Sequence, residues 1–274
     1  MAESPSNRAD TVDDEPSLSI VIPAYNESSR IDTCLEKVLA YAAERPCSTE
    51  VVLVDDGSSD DTLARARSFV TTSPRLRILA EPHRGKAAAV EAGILAATGR
   101  IILFMDADLA TPLSHTEDLV RRIEAGADVA IGSREGAGAR RVGEPLHRHL
   151  MGRIFNLIVQ VLLLPGIEDT QCGFKAFRRD ATRQILRATL LYRGSGPVHG
   201  ARVTAFDVEL LYIARLLGQT VAVVPVVWSA GTGSKVNPIH DTWVNLTDVV
   251  KIRINGWRGR YRNDEPLPRP ASGR

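Results

Sequence analysis

An α/β fold with a mostly parallel central sheet flanked by helices is predicted by three features of this 274-residue chain. Five short apolar runs alternate with helical patterns through its first half. The runs are apolar throughout rather than alternating, which marks strands buried on both faces. Each run also leads into a polar cluster, so that PAYNE, DDGSSD, EPHRGK, DAD and GSR collect at the carboxyl edge of one sheet, where such folds bind ligands.

The elements follow in order. Leu18–Ile22 is a strand closed by Pro23, and Ile31, Leu35, Val38 and Leu39 give a helix over Ser29–Ala43. Glu50–Val54 is the second strand; Ser58 to Asp61 supply N-cap candidates for a helix over Thr62–Val70. Leu76–Leu79 is the third strand, and Lys86–Ala97 is an alanine-rich helix ended by Gly99. Ile101–Met105 is the fourth strand, a helix from about Pro112 stops at Gly126, and Val129–Ile131 is the fifth strand. The second half is less regular: helices over Leu150–Leu164 and Phe206–Leu217, and a strand over Val221–Val227. Ile239, Trp243, Leu246, Val250, Ile254 and Trp257 then fall at helical spacing on one apolar face.

Composition sets limits on function. With 44% hydrophobic and 24% charged residues the chain is an ordinary globular protein, neither disordered nor collagen-like. Cys34, Cys47 and Cys172 lack paired spacing, which argues against a zinc knuckle or a disulfide framework and for a reducing compartment. The greasiest stretch, Ile154–Leu164, reaches only about 16 Å as a helix, roughly half a hydrocarbon core. The net charge of +1 counts against nucleic acid as a partner, but it hides a split. Residues 1–132 carry 13 basic and 22 acidic side chains, a charge of −9; residues 133–274 carry 21 and 11, a charge of +10. Two electrostatic tasks are implied.

Asp106 and Asp108 lie where a buried strand leaves the sheet, so both carboxylates can converge on one point. Two carboxylates with few other protein ligands suit Mg²⁺ or Mn²⁺, which keep waters and bind diphosphate oxygens; a solvated turn is the alternative. Asp55 is placed to accept the imide N–H of a pyrimidine or the matching edge of guanine, although Asp-Gly-Ser loops also make plain turns. Lys86 opens a helix, where free N–H groups already favour anions. Neither GxxxxGK[ST] nor GxGxxG occurs, which counts sharply against ATPase and dehydrogenase readings.

PAYNE, DDGSSDDT, GKAAAV, DADLATP and GSR, in this order and spacing, resemble the nucleotide-diphospho-sugar half of the inverting family-2 glycosyltransferases of GT-A fold. DTQCGFKAF, AFDVELLYIA and GSK in the second half closely resemble the dolichyl-phosphate β-glucosyltransferases, with the dolichyl-phosphate mannose synthases as near relatives. The likeness runs from about Leu18 to Tyr261. It implies nucleoside contacts at Pro23, Ala24, Tyr25, Glu27 and Asp55, a donor-binding Lys86, and a metal pair at Asp106 and Asp108. It further implies an acceptor-phosphate arginine at Arg134, a segment with Asp169 and Gln171 beside the reacting centre, and a basic Lys235 near the phosphates. The implied reaction moves glucose from UDP-glucose to a polyprenyl phosphate with Mg²⁺ or Mn²⁺. GDP-mannose as donor, a soluble acceptor and a non-catalytic nucleotide-sugar-binding module are the alternatives.

The expected organisation is an acidic disordered tail over residues 1–16, one GT-A domain over residues 17–262 and a second tail over residues 263–274. Within the domain, residues 17–132 form the nucleotide-sugar and metal half, and residues 133–262 the acceptor half. The expected location is cytoplasmic and peripheral on the cytoplasmic membrane face. The helix bearing Trp243 and Trp257, with Lys251, Arg253, Arg258, Arg260 and Arg262, suits an anionic membrane surface; packing of its apolar face on the domain is the other reading. The Arg140–Leu164 region is a second candidate for the same surface.

Overall fold

The computed structural model describes residues 15–191, 193, 196–198, 200, 204–230 and 238–261, with the side chains of 238–242 excepted. Both expected tails, apart from Glu15 and Pro16, fall outside these residues, as do Lys235 and Arg262.

The chain opens with β1 (Leu18–Ala24), α1 (Ile31–Glu44), β2 (Thr49–Asp56), α2 (Thr62–Val70), β3 (Leu76–Glu81), α3 (Lys86–Ala96) and β4 (Ile101–Met105). A short 3₁₀ turn at Leu113–His115 leads into α4 (Thr116–Glu124) and β5 (Val129–Ser133). The second half carries β6 (Arg140–Val142), α5 (Leu146–Leu162), β7 (Phe174–Arg178), α6 (Arg179–Ala188), α7 (Phe206–Leu216), β8 (Val221–Pro225), β9 (Val227–Ser229) and α8 (Pro238–Trp257). Seven strands form one sheet in the order β3-β2-β1-β4-β7-β5-β8, while β6 and β9 pair separately. All strands of the large sheet run parallel except β7, which is antiparallel to both β4 and β5.

The unbroken apolar runs are explained by two cores, one on each face of the sheet. Val21, Val52, Val54, Ile102 and Phe104 face the layer of α3, α5, α6, α7 and α8. Their sequence neighbours Ile20, Ile22, Val51, Leu53, Leu103 and Met105 face the α1 and α4 side. Period-2 alternation thus sorts residues between two buried faces rather than between core and water. The chain moves outward from β1 to β2 and β3, then returns to β4 on the other side of β1. That reversal opens a crevice beyond the carboxyl ends of β1 and β4, the position at which open α/β sheets hold ligands.

Several boundaries differ from expectation. β1 continues through Pro23 to Ala24, because Pro23 pairs with Val54 in a parallel ladder that does not require its missing N–H. The strand expected over Val221–Val227 is two strands: Val226 donates to Ser133 O on one side and accepts from Arg140 N on the other, passing the chain from the large sheet to the small one. α5 begins four residues early, at Leu146 after Pro145. α8 exists; of its predicted apolar face Leu246 packs against the core, the side chain of Ile239 lies outside the described residues, and the other members point outward. Trp243, Val250, Ile254 and Trp257 are exposed, while Asn245, Asp248, Val249 and Ile252 are buried on the opposite side.

Candidate active site

The base-side loops are laced together. After β1, Asn26 adopts a left-handed conformation (φ 53°), its N–H donates to Ser58 Oγ at 2.9 Å, and its Oδ1 accepts Ser59 N–H at 2.8 Å. Glu27 N–H donates to Thr62 Oγ1 at 2.7 Å. Asp55, at the end of β2, is buried; Oδ2 accepts the Ser58 N–H at 3.2 Å, whereas Oδ1 is buried without a hydrogen-bond partner among the described residues. A buried unpaired acceptor costs on the order of 1–3 kcal/mol, so Asp55 Oδ1 is an open seat for an N–H donor.

Its neighbour Asp56 does different work. Its carboxylate accepts the Arg84 N–H at 2.8 Å, the Gly85 N–H at 2.9 Å and His83 Nδ1 at 2.8 Å. The loop that presents Lys86 is therefore hung on one buried carboxylate. The His83 ring stacks on Tyr25 with centroids 3.8 Å apart, and His83 Nε2 reaches Gly200 O at 3.0 Å. Carboxylate and carbonyl are both acceptors, so the ring makes both bonds only with a proton on each nitrogen. Gly57 lets this loop close: it sits at φ +67°, and a Cβ there would lie 2.7 Å from His83 N.

Asp106 and Asp108 follow β4 and share one pocket with Ala110, Thr111, Gly173 and Trp228. Lys86, the first residue of α3, forms an ion pair with Asp106 Oδ1. Burial works to lower the Lys86 ammonium, but Asp106, Asp207 and Asp108 outweigh it and hold it above the ordinary lysine value. Asp108 is pushed up, first by burial and then by the charge of Asp106. Two hard carboxylates that repel one another in a half-buried pocket fit a divalent cation. Among the described residues no cluster of three or more His, Cys, Asp or Glu side chains gathers to complete an all-protein cage. The set therefore suits an ion that takes its remaining ligands from water and phosphate. Glycine at 173 is required by close approach: a Cβ there would fall 2.1 Å from Asp106 Oδ2.

Asp169 is fully buried and Arg134 grips it. The Arg134 backbone N–H, Nε and Nη2 donate to it at 2.9, 2.7 and 2.8 Å. Gln171 N–H adds a bond to Asp169 Oδ1 at 3.2 Å. Burial alone would raise the Asp169 carboxyl, yet Arg134 overrides it and brings it down to about 2. The same partner holds the Arg134 guanidinium above its ordinary value against the opposing effect of burial. Arg134 also lies over the Trp228 ring, 5.5 Å from its centroid.

Of the residues expected to bind the nucleoside, Pro23 and Ala24 end β1, Tyr25 and Glu27 follow it, and Asp55 lies near the end of β2; Lys86 pairs with Asp106, which shares a pocket with Asp108. Asp169, Gln171 and Arg134 bind one another. Trp228, His83 and the loop-holding role of Asp56 went unassigned: a lone tryptophan in an apolar run and a histidine in a basic loop carry no spacing signal. The buried pair Lys175–Asp207 was also missed. Lys175 Nζ lies 2.6 Å from Asp207 Oδ1 and 2.5 Å from Cys172 O, and its charge inside FKAFR kept β7 out of the strands the apolar pattern predicts.

The strand order, with β7 alone antiparallel in a mostly parallel sheet flanked by helices, is that of the GT-A architecture. The structure of glucosyl-3-phosphoglycerate synthase from Mycobacterium tuberculosis in complex with uridine diphosphate has this fold, with a TM-score of 0.61 at 19% identity over 87% of this chain and 80% of that one. Residues 19–186 match the family described as Glycosyl transferase family 2. A dolichyl-phosphate beta-glucosyltransferase of Trichomonas vaginalis is 34% identical over 86% of this chain and 68% of its own length. The one from Dictyostelium discoideum is 34% identical over 89% and 76%, and the human one 33% over 90% and 78%. The chain is thus a family-2 glycosyltransferase and belongs with the dolichyl-phosphate beta-glucosyltransferases.

Proposed function

We propose that this enzyme transfers glucose from UDP-glucose to a polyprenyl phosphate of the dolichyl type, with inversion at the anomeric carbon. The observation that carries the reading is the cluster of Asp106, Asp108 and Lys86 beyond β4, in a chain one-third identical to dolichyl-phosphate beta-glucosyltransferases. Asp55 Oδ1 takes the imide N–H of the base, and Pro23, Ala24, Tyr25 and Glu27 line the nucleoside. Lys86 swings from Asp106 to the diphosphate; one charge pair at ~4 Å and an effective dielectric of ~20 contributes about 4 kcal/mol. Asp106 and Asp108 would hold Mg²⁺ or Mn²⁺, which would supply Lewis-acid stabilisation for a departing diphosphate.

The acceptor needs no strong base. A phosphate monoester with a second pKa of roughly 6 is mostly dianionic at neutral pH and attacks in line by itself. Asp169, held near 2 with both oxygens engaged, is correspondingly unfit to take a proton. Its part is to hold Arg134, and Lys235 adds positive charge for the phosphates.

Among the described residues no helix is long and apolar enough to cross a membrane. A lipid acceptor is met instead by the outer surfaces of α5 and α8, which pack against each other. Leu146, Leu150, Ile154, Leu157 and Val161 form one exposed stripe, and Trp243, Val250, Ile254 and Trp257 another. Arg140, His147, Arg153, Lys251, Arg258 and Arg260 are exposed around them. Apolar stripes bordered by basic residues suit an anionic bilayer face, here the cytoplasmic one.

Labelled UDP-glucose and GDP-mannose, each offered with a short polyprenyl phosphate and Mg²⁺ or Mn²⁺, test the reaction. Label from UDP-glucose should enter the organic phase, and chelation or Asp108→Asn should stop it. Label that remains aqueous, or that is transferred from GDP-mannose in preference, overturns the reading.

A further inference from the structure

Asp169 comes from the segment that resembles a reaction-centre motif and Arg134 from the one that resembles an acceptor-phosphate site, yet the two grip each other. Both Asp169 oxygens are bound by Arg134, and Nε and Nη2 of the guanidinium are bound by Asp169. The group they present to the Asp106–Asp108 pocket is an indole: Trp228 lines that pocket, and Arg134 lies 5.5 Å from its ring centroid. A cation over the indole, itself locked by a bidentate carboxylate, fixes the ring plane.

The backbone around Trp228 is fastened on both sides. Arg141 is its partner in the β6–β9 ladder, Ser229 N–H donates to Ala110 O at 2.8 Å, and Val227 N–H donates to His115 Nε2 at 3.1 Å. Ala110 belongs to the turn that carries Asp106 and Asp108, so the indole and the carboxylates are held in one rigid frame. A pyranose presents C–H groups as well as hydroxyls, and a pocket lined by both carboxylates and an aromatic ring is suited to it.

We infer that Trp228 is the wall against which the donor hexose lies, and that Asp169 and Arg134 are positioning residues acting through it. The inference rests on the nucleotide-sugar reading above. It assigns a specificity-determining contact to a strand that precedes the GSK segment, and it gives the buried ion pair a function that needs no proton transfer.

Trp243 and Trp257 are the only other tryptophans, both on the outward face of α8. Trp243→Phe with Trp257→Phe therefore leaves Trp228 as the sole indole fluorophore. UDP and UDP-glucose, each with Mg²⁺, are titrated into this variant by calorimetry, and emission is read on the same samples. UDP-glucose at saturation should change the emission beyond any change with UDP. Arg134→Lys should shift the emission maximum without ligand. Trp228→Phe should stay within about threefold of the parent kcat/KM for transfer, and Trp228→Ala should lose roughly tenfold, the scale of one aromatic contact. Emission indifferent to bound UDP-glucose, or Trp228→Ala matching Trp228→Phe, overturns the inference. Calorimetry showing that neither UDP nor UDP-glucose binds overturns instead the donor reading on which it rests.

Discussion

Arg134 holds Asp169 by two side-chain bonds and one backbone bond, and this pair sets what the carboxylate can do. With its folded value near 2 and its ordinary value at 3.8, Asp169 is ionised throughout the neutral range. A depressed folded value contributes stability that is present above pH ~4 and is lost as the pH falls toward 2. Asp169→Asn should therefore destabilise the protein at pH 7 by about 3–5 kcal/mol, because it leaves a guanidinium buried without its partner. The gap between the urea midpoints of the two proteins should narrow as the pH is lowered from 7 to 2. Midpoints equally far apart at both pH values would show that the ion pair is not the source of the loss.

Glu209 in α7 behaves in the opposite sense. Burial, aided by Asp248, pushes its carboxyl up to about 7 although Leu190 N–H, Leu191 N–H and the Tyr261 hydroxyl donate to it. Between about pH 4.5 and 7 the folded chain keeps a proton that the unfolded chain has released, so stability falls as pH rises through this window. Glu209→Gln should flatten that slope while preserving an acceptor oxygen for the two backbone donors. Thermal midpoints measured at pH 5 and pH 8 would refute this if both proteins declined in parallel.

The first half of the chain was readable because each of its strands is buried on both sides and ends in a polar cluster. Ile101–Met105 and Thr62–Val70 have the bounds their patterns predict. Asp106, Asp108 and Lys86 were found together for the same reason, since the sheet delivers them to one edge. β7 was hidden by a charge whose partners, Asp207 and Cys172 O, are distant or carbonyl groups that local pattern does not reveal. The period of α8 located an apolar stripe but not its direction. Asp248 and Asn245 take the buried side, and periodicity has no means of distinguishing a buried polar face from a wet one.

Asp56 and His83 supply a test of how Lys86 is aimed. One carboxylate holds Arg84 N–H, Gly85 N–H and the imidazole, immediately before the lysine. Asp56→Asn turns one of its two acceptors into a donor facing donors, a loss of roughly 1–3 kcal/mol. The lysine should then lose its aim at the diphosphate, raising the KM for UDP-glucose about tenfold, equivalent to ~1.4 kcal/mol. The turnover number should change less. His83→Gln, which cannot donate in both directions along the ring axis, should show the same split to a smaller degree. An unaltered KM in both variants, with the fold intact by circular dichroism, would mean that the loop needs no such brace.

The outward faces of α5 and α8 lead to a prediction that separates charge from grease. Exposed basic residues near an anionic bilayer contribute about 1 kcal/mol each, and that contribution fades within a Debye length as salt is raised. The apolar contribution of Trp243 and Trp257 persists in salt. Sedimentation with vesicles containing anionic lipid should thus weaken strongly in Arg258→Ala/Arg260→Ala/Arg262→Ala, and the deficit should narrow at 0.5 M salt. Trp243→Ser/Trp257→Ser should weaken binding at both salt concentrations, because the lost burial of two indoles does not depend on screening. Transfer to a short, water-soluble polyprenyl phosphate should be nearly unchanged in either variant, since neither face borders the Asp106–Asp108 pocket. Wild-type sedimentation by both variants would remove α8 from the membrane contact and leave α5, with Leu146, Leu150, Leu157 and Val161, as the surface to alter.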